Sequence, residues 1–365
     1  MRALSLDEPG TSCNPWQGEN DMRAVVIHAP KDLRVEPFDV PQPGRREVLL
    51  RIEAGGICGS DLHYYHHGGF GTVRVKEPMV LGHEVAGIVD AIGDEVTSVR
   101  PGDRVAVSPS RPCGQCRYCA EGRQNHCLDM RFYGSAMRFP HVQGAFRQAL
   151  VADEAQCHKV GDGVSAGEAA MAEPLAVCLH AARRAGPLLG KRVLVTGSGP
   201  IGVLSIIAAR RAGAAEIVAT DIAEGPLAIA KTVGADRAVN VAKEPTALDG
   251  YARDKGYFDV LFEASGAEKA LVGALDVLRP GAVVVQVGLG GSVTLPINTL
   301  VAKELELRGT FRFHEEFGLA VEMISKRLVD VRPLLSATLP FENAVEAFEL
   351  ASDRNRAMKV QLAFS

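Results

Sequence analysis

Val193-Leu-Val-Thr-Gly197-Ser-Gly-Pro-Ile-Gly202 is the stretch on which the fold turns. An apolar, β-branched run ends on a G-x-G-x-x-G pattern and passes into the helical Val203–Arg211, so it reads as strand, tight turn and helix. Each glycine has a physical task. Gly197 permits the turn, Gly199 lets backbone N–H groups approach a pyrophosphate, and Gly202 lets helix pack on strand, while the positive helix end faces the anion. Ser198, Pro200 and Ile201 complete the loop. Asp221 closes the next strand, Ile217–Thr220, where a carboxylate can accept hydrogen bonds from an adenosine ribose. The next cation along the chain is Lys231, so nothing local compensates a 2′-phosphate and NAD is expected over NADP. Further on, Val287-Gly288-Leu289 ends a strand in a glycine-rich turn that suits close approach of a nicotinamide ring.

Around this unit the rhythm of the chain changes twice. Up to about residue 160, short β-branched runs (Val48–Glu53, Val85–Ile92, Val105–Val107, Ala149–Ala152) alternate with turns such as Pro43-Gly44 and Pro101-Gly102, an all-β pattern. From about residue 166, Ala166–Ala185 predicts a helix interrupted at Pro174. Strands Arg192–Thr196, Glu216–Thr220, Phe258–Phe262 and Ala282–Val287 then alternate with helical stretches, which specifies a parallel sheet with crossover helices. Glu306 to Ser365 is predicted to hold no place in that sheet and to pair back onto the first domain. The expected fold is α/β plus β in four parts: an extension over 1–21, a β-rich domain over 22–175, a doubly wound parallel-sheet domain over 176–308 and a returning segment over 309–365.

With 40 Lys and Arg against 44 Asp and Glu, the chain has no basic footprint for nucleic acid or an anionic membrane, and a small-molecule partner is expected. Its longest uncharged stretch, Val193 to Ala209, contains glycines, a proline and hydroxyl residues, so no membrane span is expected. Residues 1–21 lack an apolar h-region, which points to a cytoplasmic protein with a disordered tail. Four of the eight cysteines, Cys113, Cys116, Cys119 and Cys127, form C-x2-C-x2-C-x7-C. Such spacing lets a loop turn four thiolates toward one ion, a closed structural zinc site, and in a reducing compartment metal is favoured over disulfides. Cys13, Cys157 and Cys178 read as bystanders.

A closed site performs no chemistry, so a second one is sought. Cys58 ends the extended Gly55-Gly-Ile-Cys, His83 and Glu84 follow an apolar turn, and Glu173 is a carboxylate in an apolar helix where two domains must meet. An unpaired charge there would be costly, and a cation is its natural partner. A mixed thiolate, imidazole and carboxylate set leaves a zinc position open for substrate.

These motifs, in this order, resemble the zinc-containing medium-chain alcohol and polyol dehydrogenases, in particular their sorbitol-dehydrogenase-like branch. The residues that carry the resemblance are Cys58-Gly-Ser-Asp-Leu-His63, Gly82-His-Glu84, the four-cysteine lobe, Ala172-Glu-Pro174 and Gly197–Gly202, and the likeness runs from Met22 to the C-terminus. It implies a GroES-like β-rich catalytic domain joined to a Rossmann domain, an active site in the cleft between them, two zinc ions per chain and a homodimer or homotetramer. By the same resemblance Cys58 and His83 are catalytic zinc ligands, and Glu84 and Glu173 bind the metal directly or through its water, with the choice between them open. Ser60 and His63 form the proton relay.

Asp129–His141, with His63-Tyr-Tyr65 and Leu307–Phe313, looks most like the branch members that oxidise L-idonate, a sugar acid, with a neutral polyol such as sorbitol the alternative substrate. A substrate carboxylate favours a guanidinium, for which Arg131, Arg138 and Arg312 are the candidates. Arg312 matches a cleft arginine that the family carries for neutral substrates as well, so the acid-specific contact is expected from Arg131 or His141. A non-catalytic binding protein of the same fold would be expected to lose the metal ligands, and all are kept here.

Overall fold

The computed structural model describes residues 22–364, so the expected N-terminal tail and Cys13 lie outside the described residues. The first domain is built on strands β1 (Glu47–Gly56), β2 (Glu84–Ile92), β3 (Arg104–Val107), β4 (Ala149–Asp153) and β5 (Cys157–Lys159). Val48, Leu50 and Ile52 alternate into one core with Val85, Val89, Val105 and Val107, as the two-residue period of a strand demands. Helix α1 (Gly59–His67) follows β1 directly.

The second domain is a six-stranded parallel sheet: β6 (Arg192–Thr196), β7 (Glu216–Asp221), β8 (Arg237–Asn240), β9 (Phe258–Glu263), β10 (Leu278–Gln286) and β11 (Glu306–Gly309), in the order β8-β7-β6-β9-β10-β11. Val193 and Val195 join the core on one face and Leu194 the core on the other, so the sheet is covered on both sides. The order reverses between β6 and β9, and a crevice at such a switch point is where an α/β sheet binds ligands.

Two sequence expectations need correction. The helical stretch breaks at Met171, not at Pro174: a short helix Ala166–Ala170 precedes α2 (Ala172–Ala185), and Pro174 falls in the first turn of α2, where a missing N–H costs no intrahelical bond. Glu306–Gly309 does hold a place in the parallel sheet, as its edge strand against β10. The polar Glu-Leu-Arg-Gly run hid it, as the short Arg-Ala-Val-Asn run hid β8.

After β11, helix α3 (Glu316–Ser325) packs on α2. Strands β12 (Leu335–Pro340) and β13 (Lys359–Ala363) then rejoin the first sheet, with β13 antiparallel to β1, giving the order β5-β3-β2-β1-β13-β12 with β4 also on β1. Among the described residues no helix is long and apolar enough to cross a membrane.

Candidate active site and metal centres

The loop from Cys113 to Cys127 turns at Gly114 (φ 76°) and Gly122 (φ 73°), left-handed conformations that favour glycine. The four thiols converge: Cys116 Sγ lies 3.6 Å from Cys119 Sγ and 3.9 Å from Cys127 Sγ. These separations are far beyond a disulfide bond and close to the ~3.8 Å edge of a thiolate tetrahedron drawn around zinc. Backbone N–H groups of Leu128 and Cys119 lower the pKa of Cys116, and those of Gln115 and Cys116 lower that of Cys113, while burial raises Cys119 and Cys127. The lobe docks on the chain beyond β11, with Asn125 Nδ2 donating to Phe311 O at 3.0 Å.

A second cluster forms where β1, β2, α1, α2 and β13 meet. A sulfur of Cys58, a ring nitrogen of His83 and a carboxylate oxygen of Glu84 lie within 4.8 Å of one another. Cys58 is the N-cap of α1, and its N–H donates to Asp61 Oδ2 at 3.0 Å. Asp61, fully buried, also accepts the Gly82 N–H on Oδ1 at 3.2 Å, so one carboxylate ties the backbone of Cys58 to that of Gly82; it stands 3.7 Å from His83 Nδ1, a buried nitrogen that has no hydrogen-bond partner among the described residues. Behind the cluster, Lys359 at the start of β13 donates to both oxygens of Glu84 at 2.8 Å and to Ile57 O at 3.1 Å.

Glu173, buried in the first turn of α2, stands outside the 4.8 Å set and makes no hydrogen bond or ion pair among the described residues. Burial raises its pKa well above the usual carboxylate range, Glu84 and Cys58 add to the effect, and His83 opposes it. Burial, then the charge of Glu84, likewise raises the Cys58 thiol. A thiol and a carboxyl disfavoured as anions, beside an imidazole, are a donor set that a cation completes, so the residues fit a zinc ion.

The expected relay residues, Ser60 and His63, lie one turn apart on α1, both half-buried, and burial followed by the charge of His67 lowers the pKa of His63.

A cleft of about 360 Å³ joins this cluster to the second domain. Cys58 and Glu84 stand on its wall together with Gly197, Gly199, Pro200, Ile201 and Asp221. Gly199 caps the helix Pro200–Arg211, and a Cβ there would meet nothing within 4 Å, whereas a Cβ on Gly202 would strike Gly197 O at 1.8 Å. Open space over a helix N-terminus and tight packing behind it fit a dinucleotide pyrophosphate. Asp221 accepts backbone N–H groups of Ser198 (2.7 Å), Ile222 (2.7 Å) and Ala223 (3.0 Å), which turns the Ser198 amide toward the carboxylate and fixes the acid at the strand end. Val287, Gly288 and Leu289 are not on this wall; they stack behind Ser265–Ala267, where a Cβ on Gly288 would meet Gly266 N at 2.3 Å.

Beyond the metal cluster, Arg312 adopts φ 53°, rare for a side-chain-bearing residue, with its guanidinium 4.0 Å over the Phe132 ring. Phe132 in turn packs 5.6 Å from His83. Burial pushes the pKa of Arg312 down to about 10, which leaves it charged at neutral pH. Arg138 shares its cavity of about 380 Å³ but pairs with Asp129. Arg131 lines a separate outer cavity beside Cys113, and the buried His141 accepts the Lys76 N–H on Nε2 while Nδ1 donates to Arg138 O. Neither Arg131 nor His141 stands on the cavity of Arg312, so the acid-specific contact expected of them is not placed there.

Three residues escaped the sequence. Asp61 had a signal, the capping-box spacing Cys58-x-x-Asp61 at a helix start. Lys359 and Arg354, which also lines the cleft, had none, since only the return of the C-terminal segment brings them there.

Residues 44–162 match the alcohol dehydrogenase GroES-like domain and residues 200–326 the zinc-binding dehydrogenase domain. The chain is 47% identical over 318 residues to L-idonate 5-dehydrogenase (NAD(P)(+)) of Escherichia coli K12, covering 87% of this chain and 92% of the relative. It is 39% identical over 332 residues to sorbitol dehydrogenase of Macaca fascicularis, covering 89% and 91%. The crystal structure of the E. coli L-idonate 5-dehydrogenase superposes with a TM-score of 0.89 at 43% identity, covering 94% of this chain and 98% of that one.

Proposed function

The chain belongs to the zinc-binding alcohol dehydrogenase family, and from that premise we propose that it oxidises L-idonate at C5 to 5-keto-D-gluconate with NAD, as a cytoplasmic enzyme carrying two zinc ions per chain. One observation carries the proposal: a single cleft holds Cys58 and Glu84 at one end and the Gly197–Gly202 loop with Asp221 at the other, so an alcohol at the cluster and a dinucleotide on the loop would meet.

When bound, zinc acidifies the substrate hydroxyl and the nicotinamide takes up the hydride. The rest falls to the chain. Cys58 and His83 would hold the catalytic metal, with Glu84, inside their 4.8 Å set, and Glu173, outside it, as the carboxylates that reach it directly or through its water, and Asp61 fixes the backbone of Cys58. Glu84 is balanced by Lys359, whereas the side chain of Glu173 has no cation of its own. Ser60 and His63 pass the hydroxyl proton toward solvent, and Arg312 receives the substrate carboxylate. The four-cysteine lobe holds the second zinc. Asp221 selects NAD by accepting the ribose hydroxyls, and Arg354 puts a cation on the same wall for phosphate oxygens.

Assembly to a homodimer or homotetramer is supported by the open edge of β11 beside helix Ile297–Ala302, which buries none of its residues and exposes Ile297 and Val301. A neutral polyol is the second reading, favoured because the pairing of Arg138 with Asp129 leaves Arg312 alone to meet an acid. Steady-state kcat/KM for L-idonate and sorbitol, each with NAD and NADP, tests both on enzyme whose zinc is counted. L-idonate with NAD at two zinc ions per chain is the expected best case, and a higher value for sorbitol would select the second reading.

A further inference from the structure

The parallel sheet contains a carboxylate for which the chemistry above has no use. Glu263, the last residue of β9, is fully buried, and each hydrogen bond it accepts comes from a neutral donor. Its side chain accepts the N–H of Ser265 at 2.9 Å, the N–H of Gly266 at 3.1 Å, the Nε2–H of Gln286 at 2.6 Å and the hydroxyls of Thr196 and Ser265. We propose that Glu263 is a positioning residue for the dinucleotide, fixing together the two loops after β6 and β9 that line the cofactor side of the cleft and the loop after β10 that backs them. The proposal rests on the dinucleotide reading above.

The donors sort by strand. Thr196 ends β6 and precedes Gly197, Ser265 and Gly266 follow β9, and Gln286 ends β10 while also donating to Gly288 O at 2.8 Å. The backbone carbonyl of Glu263 accepts the N–H groups of Val287 (2.9 Å) and Gly288 (2.8 Å), so one residue anchors all three loops through side chain and main chain. The loops also interlock: a Cβ on Gly197 would meet Ser265 Cα at 2.8 Å, and one on Gly290 would meet Gly266 O at 1.6 Å. A shift in one loop therefore displaces the others, and Gly197 and Ser265 both face the cleft. An acceptor-only group suits this convergence. An amide of the same shape would point its N–H₂ at amide donors, and a buried donor left without an acceptor is costly.

The test is calorimetric binding of NAD to zinc-replete wild type, Glu263→Gln and Gln286→Met, with thermal melts with and without NAD. Glu263→Gln should weaken NAD binding by about tenfold and shrink the NAD-induced rise in Tm, with wild-type zinc content and kcat at saturating NAD within about threefold. Gln286→Met removes one donor and leaves the carboxylate in place, and it should weaken binding by about threefold, which keeps the proposal testable if Glu263→Gln fails to fold. NAD affinity within about twofold of wild type, with only the melting temperature of the free protein lowered, would make Glu263 a structural residue and overturn the proposal. A wild type that binds no NAD would instead sink the dinucleotide reading itself.

Discussion

The two thiol-bearing clusters of this chain are built in opposite ways. In the lobe four identical donors come from one loop, and the backbone supplies the rest: two glycine turns and amide N–H groups on the sulfurs. In the cleft the donors differ in kind, come from separate elements, and are held by side chains, Asp61 from one side and Lys359 from another. A zinc ion in the lobe would have its ligand set saturated and could only stabilise. The cleft cluster is mixed and opens on a cavity, so an ion there would have room to exchange one ligand for a substrate.

The largest expected effect tests that division directly. Cys58→Ser should reduce kcat by about a thousandfold or more while the melting temperature stays near wild type, whereas Cys116→Ser should lower the melting temperature and the zinc content of the lobe. Equal loss of folding in both variants, by circular dichroism melts, would break the comparison. Next comes Asp61→Asn, which keeps its shape but weakens its hold on the backbone of Cys58 and Gly82 and removes the negative charge beside His83; a loss of about 10–100-fold in catalytic zinc affinity is expected, with the lobe zinc retained. Competition with a chelator, read as zinc released per chain, checks it. Then His63→Ala should slow oxidation about tenfold at pH 6 and less at pH 9. Burial and then the charge of His67 lower the pKa of His63, which extends its range as a proton acceptor toward lower pH, where solvent base is scarcer. An unchanged pH–rate profile would remove it from the proton path.

The smallest effect concerns the seam that carries Glu173. Glu316 on α3 is buried, which by itself raises its pKa. The His180 ring on α2 (3.0 Å) and the His314 N–H (3.0 Å) outweigh that and hold it down to about 2. A depressed carboxylate stabilises the fold above its unfolded pKa, near 4.5, and the contribution fades as pH falls from there toward 2. Glu316→Gln should therefore cost about 1–2 kcal/mol at pH 6, less than the full shift because solvent screens part of the interaction, and progressively less toward pH 3. Urea midpoints at the two pH values decide it.

The same contrast explains what was legible beforehand. The cysteine lobe and the glycine loop are local: spacing within a few residues states the geometry, and both could be read from the chain as written. Cys58, His83, Glu84 and Glu173 were read as a mixed donor set from their chemistry, but the role of each came only by resemblance, because no local pattern says that separate elements converge. Lys359 and Arg354 were invisible for the same reason taken further. The misplaced helix break has a different cause. Proline was read as a terminator without regard to the turn it occupies, and in the first turn of α2 it is tolerated. The two missed edge strands were short and polar, so hydrophobic pattern had nothing to report.

The ion pair between Lys359 and Glu84 spans 275 positions, and that separation becomes a delay when the chain is made. At roughly 5–20 residues per second, a ribosome needs about 14–55 s to deliver Lys359 after Glu84 has emerged. Throughout that interval β1 has no β13 beside it, and Glu84 has no ammonium to balance it. The strands of the parallel sheet, contiguous from Arg192 to Gly309, are all delivered before β13. The second sheet therefore has its full set of strands while the first still lacks one. The half that was translated first stays unfinished until the last strand arrives to pair with β1.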